Sequence, residues 1–101
     1  MITIEVKVYG GLAPVPINVT ISEQNNLYNN DFSKDKSFKE KLELPRGIYE
    51  IVVSGQNPYN PDGNDKIRTE IKVYGKTGTG NINLKKVKTV EEYSAGFSFS
   101  I

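Results

Sequence analysis

Apolar and polar residues alternate at both ends of this sequence, and this period of two constrains the fold more than any other feature. Near the start, Ile2, Ile4 and Val6 share one parity, while Glu5 and Lys7 occupy the other. Near the end, large or apolar residues alternate with small ones: Tyr93, Ala95, Phe97, Phe99 and Ile101 against Ser94, Gly96, Ser98 and Ser100. Such alternation is typical of strands with one buried face. We therefore expect strands from the first residues to the last.

Further segments between these two show the same rhythm or an abundance of β-branched and aromatic residues. The predicted strands, about seven in all, are residues 2–9, 17–21, 38–44, 48–53, 67–73, 82–84 and 93–101. In residues 48–53 both parities are apolar, which favours a central strand covered on both faces or crowded by a neighbouring loop. Seven short strands in 101 residues predict one all-β domain over residues 1–101, an Ig-like or transthyretin-like β-sandwich.

Three polar segments are predicted to connect the strands. Residues 23–37 read as a long loop, although its length suggests that a short edge strand or a helical turn lies within it. Leu44-Pro45-Arg46-Gly47 has the composition of a tight turn and predicts a hairpin. Residues 56–65, rich in Pro, Asn and Asp, predict an exposed loop.

One short stretch of sequence occurs twice. Glu5-Val6-Lys7-Val8-Tyr9-Gly10 returns almost unchanged as Glu70-Ile71-Lys72-Val73-Tyr74-Gly75. A duplicated half-domain would explain the repeat, but the flanking residues do not repeat. We therefore favour coincidence or similar local constraints on two strands.

Composition argues against several classes of function. The formal net charge is +1, with 13 basic and 12 acidic residues, so no long-range field favours nucleic acid or a membrane surface. The absence of His and Cys removes the usual general base, the thiolate nucleophile and the commonest metal ligands. Loop carboxylates such as Asp31 and Asp35 are expected to be solvated rather than catalytic. The sequence thus predicts no enzyme, no cofactor and no metal site.

Aromatic residues supply the candidates for an interaction surface. Tyr28, Phe32 and Tyr59 lie in predicted polar loops, where aromatic side chains often anchor contacts. The alternative for each is that it closes one end of the sandwich. Phe97 and Phe99 belong to a final strand without charge, which would be a poor exposed edge. That strand is expected to be paired inside the sandwich or covered by a partner through strand addition.

One group of residues carries a resemblance to known families. Two segments that lead into or form apolar strands resemble transthyretin-like, CnaB-type and carboxypeptidase-regulatory-like sandwiches. They are Pro16-Ile17-Asn18-Val19-Thr20-Ile21 and Leu44-Pro45-Arg46-Gly47-Ile48-Tyr49. The resemblance covers roughly residues 2 to 84, and its specific part is the leucine-proline-x-glycine-x-tyrosine turn. It implies a sandwich fold and no particular activity.

These observations lead to two expected functions. The first is a structural or protein-interaction module of a larger assembly, an auxiliary or decoration protein of a phage-like capsid. We expect it in a virion or the cytoplasm, because residues 1–20 lack the apolar segment of a signal peptide. The second is an excised cell-surface or secreted module that binds carbohydrate or links domains. The partner's identity, the oligomeric state and the strand order stay open at this point.

Overall fold

A computed structural model describes residues 2–10, 16–57, 66–75, 83–87 and 92–101. These residues form eight strands. The strands are β1 (Ile2–Tyr9), β2 (Ile17–Glu23), β3 (Asn29–Lys34), β4 (Phe38–Leu42), β5 (Ile48–Gln56), β6 (Arg68–Gly75), β7 (Asn83–Val87) and β8 (Glu92–Ser100). No helix within these ranges is long and apolar enough to cross a membrane.

The strands form two antiparallel sheets of four. The first, sheet A, has the order β4-β1-β6-β7, and the second, sheet B, has the order β3-β2-β5-β8. Every strand pair is antiparallel. The all-β sandwich predicted from the alternation is therefore confirmed.

The core lies between the sheets and follows the predicted parity. Its buried apolar residues are Ile2, Ile4, Val6, Ile17, Val19, Ile21, Tyr49, Ile51, Val53, Ile71, Val73, Ala95, Phe97 and Phe99. Strands β1, β2, β5, β6 and β8 each contribute alternate residues, because successive side chains of a strand point to opposite faces. Burial of these side chains supplies most of the stabilisation available to a chain without cysteine.

The eighth strand, β3, lies within the long polar segment where a short edge strand was one expectation. Its sequence is almost wholly polar, and Phe32 is its single large apolar residue. It forms because the turn after β2 brings it alongside β2. Asn26 adopts a positive φ of 59° in that turn, and the buried carboxylate of Glu23 accepts hydrogen bonds from the amides of Asn25 at 2.6 Å and Leu27 at 3.2 Å.

Strand β5 is an interior strand of sheet B, as expected for a central strand, but two details of its surroundings differ from the expectations. The turn at residues 44–47 is no hairpin, since β4 pairs with β1 in sheet A while β5 pairs with β2 and β8 in sheet B. The chain thus crosses between sheets there, and the hydroxyl of Tyr49 donates to the carbonyl of Pro45 at 2.7 Å. Nor is β5 covered on both faces, because Ile48 is 54% exposed and Glu50 faces solvent.

The repeated hexapeptides are neighbours in the sheet. Strands β1 and β6 pair so that Glu5 lies opposite Lys72 and Lys7 lies opposite Glu70. A segment that alternates Glu, apolar and Lys places opposite charges across from each other when it pairs antiparallel with a near-copy of itself, which favours the pairing. This register gives a physical reason for two strands of similar sequence without any duplication of a larger unit.

Candidate functional site

The predicted interaction residues occupy different places. Tyr28 and Phe32 are half-buried and pack against the core, each beside another ring. The Tyr28 ring meets Tyr49 edge-on at 6.1 Å, and the Phe32 ring meets Phe38 edge-on at 5.9 Å. Such contacts are those of residues that close the sandwich, which was the alternative stated for each. Tyr59 lies outside the described residues.

Phe97 and Phe99 point into the core, at 2% and 6% exposure. Their strand is nevertheless the outermost strand of sheet B: among the described residues it is hydrogen-bonded to β5 alone, and β7 of sheet A lies near it. Within the described residues β8 is thus an edge strand and not an interior one, which differs from the first of the two expectations; coverage by a partner through strand addition stays a prediction. What β8 offers a partner is the backbone and the small side chains of the residues that alternate with these rings.

The open side of β8 can be read from its hydrogen bonds to β5. Gly47 and Ile101 exchange two backbone hydrogen bonds, at 3.2 and 2.9 Å. In an antiparallel ladder such pairs alternate with pairs whose amides and carbonyls point away. Residues of the other parity therefore direct their N–H and C=O groups to the free edge: Ser94, Gly96, Ser98 and Ser100. We call these four residues the β8 edge.

The side chains at the β8 edge do nothing to obstruct a further strand. Ser94, Gly96 and Ser98 are exposed, and a methyl group placed on Gly96 would meet no atom within 4 Å. After Glu92 at its start, β8 carries no charge, no proline and no interruption in its pairing over nine residues. Natural edges usually carry charge, proline or a bulge to prevent association.

The other outer strands are protected in that way. Asp31 and Lys34 lie on β3, which is six residues long. Strands β4 and β7, of five residues each, carry three and two charged residues in their sequences. Lys34 and Glu40 also approach within 4.0 Å, linking β3 to β4. The contrast makes β8 the exceptional edge of the described sandwich.

The outer faces of the two sheets differ in charge as well. On sheet A the exposed or half-exposed outward residues include Lys7, Lys39, Lys41, Arg68 and Lys72 along with Glu5 and Glu70. The outward face of sheet B has small uncharged side chains on β2 and β8, and it also carries three exposed acidic residues, Asp31, Glu50 and Glu92. Small uncharged side chains reach the β8 edge along the row Asn18, Ser54 and Ser94.

An open depression with mixed polar and apolar lining lies at the beginning of β8. Its volume is about 340 Å³, and its lining includes Asn18, Ser54, Gln56, Glu92 and Tyr93. The Tyr93 hydroxyl is buried and has no hydrogen-bond partner in the structure. Burial raises the pKa of Tyr93 to about 12, so at neutral pH its hydroxyl is protonated and can donate a hydrogen bond.

Nothing in the described ranges assembles a metal centre, since no group of three acidic side chains there is close enough to hold an ion.

Lys7, on the outer face of β1, has its ammonium 3.9 Å from a Glu5 carboxylate oxygen. The edge position of β8 was one of two alternatives raised by the sequence and could not be decided there, because strand alternation reveals which residues point inward and not which strand lies outermost.

No protein-family model matches the chain, and neither the curated proteins nor the solved structures that were compared with it include a similar one.

Proposed function

We propose that this chain is a non-catalytic structural and interaction module that joins protein partners in a larger assembly, and that its setting is the surface of a phage-like capsid. The observation that carries the proposal is the β8 edge, beside which no further strand pairs within the part of the chain that the structure describes. Strand addition to such an edge satisfies the backbone groups of both partners and needs no prior pocket. The capsid setting rests on analogy with sandwich proteins that decorate virions.

Chemistry supports a role in binding more than one in catalysis. Neither His nor Cys is present in the sequence, which removes the commonest general base and the thiolate nucleophile. The edge itself is made of serine and glycine, whose contribution to binding is backbone hydrogen bonding with little steric demand. A partner would thus supply the side chains that give specificity.

The proposal is tested by comparing two lysine variants in the native source. Ser98→Lys adds a charge at the β8 edge, while Thr20→Lys adds the same charge on the same face of sheet B but on interior strand β2. Tagged chains are followed through gradient sedimentation of particles, with mass spectrometry of the bound proteins. We expect the unchanged chain and Thr20→Lys to sediment with particles and Ser98→Lys to remain in the free fraction. Recovery of all three in the free fraction would contradict the assembly role.

The depression beside Tyr93 favours a second function, carbohydrate binding by a cell-surface module. Its amide, hydroxyl and carboxylate groups beside an aromatic ring are the groups with which proteins contact sugars. Titration calorimetry with a panel of oligosaccharides tests this function. Binding that is lost in Glu92→Gln and kept in Ser98→Lys would favour it over assembly through β8.

A further inference from the structure

We infer that the occupant of the β8 edge is a second copy of this chain, whose β8 pairs antiparallel with the first about a two-fold axis to join two B sheets into one. The inference rests on the proposed function, since it names the partner of the same edge. It is argued from the register, the charges and the closure of the resulting contact.

The register follows from the four small residues of the β8 edge, which are centred on Phe97. A two-fold axis beside Phe97 sets these four residues against the same four of the copy and leaves Glu92 outside the row. The pairing then sets Ser94 against Ser100 and Gly96 against Ser98, and the symmetry repeats each pair. These are the four residues whose backbone groups face the edge, and each such pair can exchange two hydrogen bonds.

The side chains are compatible with this register. The opposed residues are serine or glycine, which can form cross-strand hydrogen bonds and cannot clash as larger residues would. On β5 of the first copy, Glu50 is the neighbour of Ser98. On β5 of the second copy, Val52 is the neighbour of Gly96, the residue that Ser98 faces. Acidic residues on the two copies are therefore not set against each other. A net charge of +1 for each chain adds little repulsion between them.

Closure favours a second copy over an open-ended arrangement. Pairing β8 with β8 uses the same edge on both molecules, and a contact of this kind stops at a dimer. Pairing β8 with the outer strand at the other side of sheet B would build a filament, but Asp31 and Lys34 on β3 oppose it. The two-fold contact removes the one unprotected edge of each described sandwich.

The first test is the mass of the chain in solution. Sedimentation equilibrium at high micromolar concentration should give twice the 11.3 kDa of one chain. Ser98→Lys should give the mass of one chain, with a dimer dissociation constant raised about tenfold or more, and Thr20→Lys should remain a dimer. A single-chain mass for the unchanged protein at this concentration would overturn the inference.

The second test determines the register. The chain has no cysteine of its own, so single introduced thiols report only on the contact. Directly opposed residues lie about 5.5 Å apart at Cα, a distance that a disulfide spans. Under mild oxidation, a mixture of Gly96→Cys and Ser98→Cys should cross-link rapidly, and a mixture of Thr20→Cys and Ser98→Cys should not. Equal rates in the two mixtures would count against β8 pairing.

The results also separate this inference from the proposed function. An unchanged chain that is monomeric, together with a Ser98→Lys variant that no longer enters particles, would show that a different protein occupies the edge. The inference would then fail and the assembly role would stand. A dimer that Ser98→Lys dissociates without any effect on particle binding would support the inference and contradict an assembly role for this edge.

Discussion

Two tyrosine hydroxyls in sheet B are buried in opposite circumstances. Tyr49, at 1% exposure, donates to the carbonyl of Pro45 and so fixes the chain where it crosses between sheets. Tyr93 has a buried hydroxyl without a partner in the structure. A buried polar group is stabilising when it is hydrogen-bonded and costly when it is not. The two residues therefore allow the same substitution to be made with opposite expected effects.

Tyr49→Phe should lower the free energy of unfolding by about 1–3 kcal/mol, because it leaves the Pro45 carbonyl without its donor. Tyr93→Phe should leave the free energy of unfolding unchanged or raise it, because it removes a hydroxyl that has no partner. Urea unfolding at neutral pH, followed by circular dichroism, measures both. A larger loss for Tyr93→Phe than for Tyr49→Phe would show that the Tyr93 hydroxyl is hydrogen-bonded in solution.

Stability should fall at alkaline pH. Burial raises the pKa of Tyr93 from 10.0 to about 12, and burial, followed by the charges of Glu23 and Tyr28, raises the pKa of Tyr49. Above pH 10 the unfolded chain releases these protons while the folded chain retains them, so each rise in pH favours unfolding. The contribution is complete below pH 10 and is lost as the pH rises toward 12. Unfolding free energies measured across this range should decline less steeply in Tyr93→Phe than in the unchanged chain.

At the scale of the strand, alternation predicted most of sheet B and the inner strands of sheet A. It succeeded where a strand buries one face, as in β1, β2 and β8. It gave little help with β3, whose residues are polar and whose place depends on backbone pairing with β2. The turn at residues 44–47 shows a second limit, because Pro and Gly indicate a change of direction and not whether the next strand joins the same sheet. Because the sequence does not show which strands are neighbours, it left two alternatives for β8, a strand inside the sandwich or an edge strand covered by a partner.

Two glycines on paired strands should respond differently to a methyl group. At Gly55 on β5, an added Cβ would lie 2.6 Å from the Pro16 carbonyl oxygen and 2.9 Å from the Tyr93 hydroxyl. Gly55→Ala should therefore destabilise the fold by roughly 1–3 kcal/mol, the usual cost of overpacking. Gly96→Ala on β8 meets no atom within 4 Å and should stabilise it by roughly 0.4–1 kcal/mol. Chemical unfolding of the two variants checks this; equal effects would mean that the β5–β8 contact is looser than described.

For the molecule as a whole, the arrangement of charge matters more than its sum. Basic and acidic residues alternate on the outer face of sheet A, the outer face of sheet B carries the acidic residues Asp31, Glu50 and Glu92, and the four residues of the β8 edge are uncharged. A net charge near zero offers little protection against association. Solubility should consequently depend on where a charge is added.

Ser98→Lys and Thr20→Lys provide a direct comparison, because both raise the net charge by one on the same face of sheet B. Heated to partial unfolding and monitored by light scattering, Ser98→Lys should aggregate more slowly than the unchanged chain. Thr20→Lys should resemble the unchanged chain, since an interior strand offers no edge for association. Equal protection by the two variants would assign the effect to net charge alone.

The position of β8 in the sequence also bears on synthesis. Strand β5 has β2 on one side as soon as residues 17–56 have emerged from the ribosome, but its other neighbour is residues 92–100. Until those residues arrive, the inward row of Tyr49, Ile51 and Val53 has an unpaired backbone beside it. Domains can begin to fold during translation. The edge of β5 then stays unpaired while more than thirty further residues are synthesised. During this time β8 of a neighbouring nascent chain could pair with β5 instead.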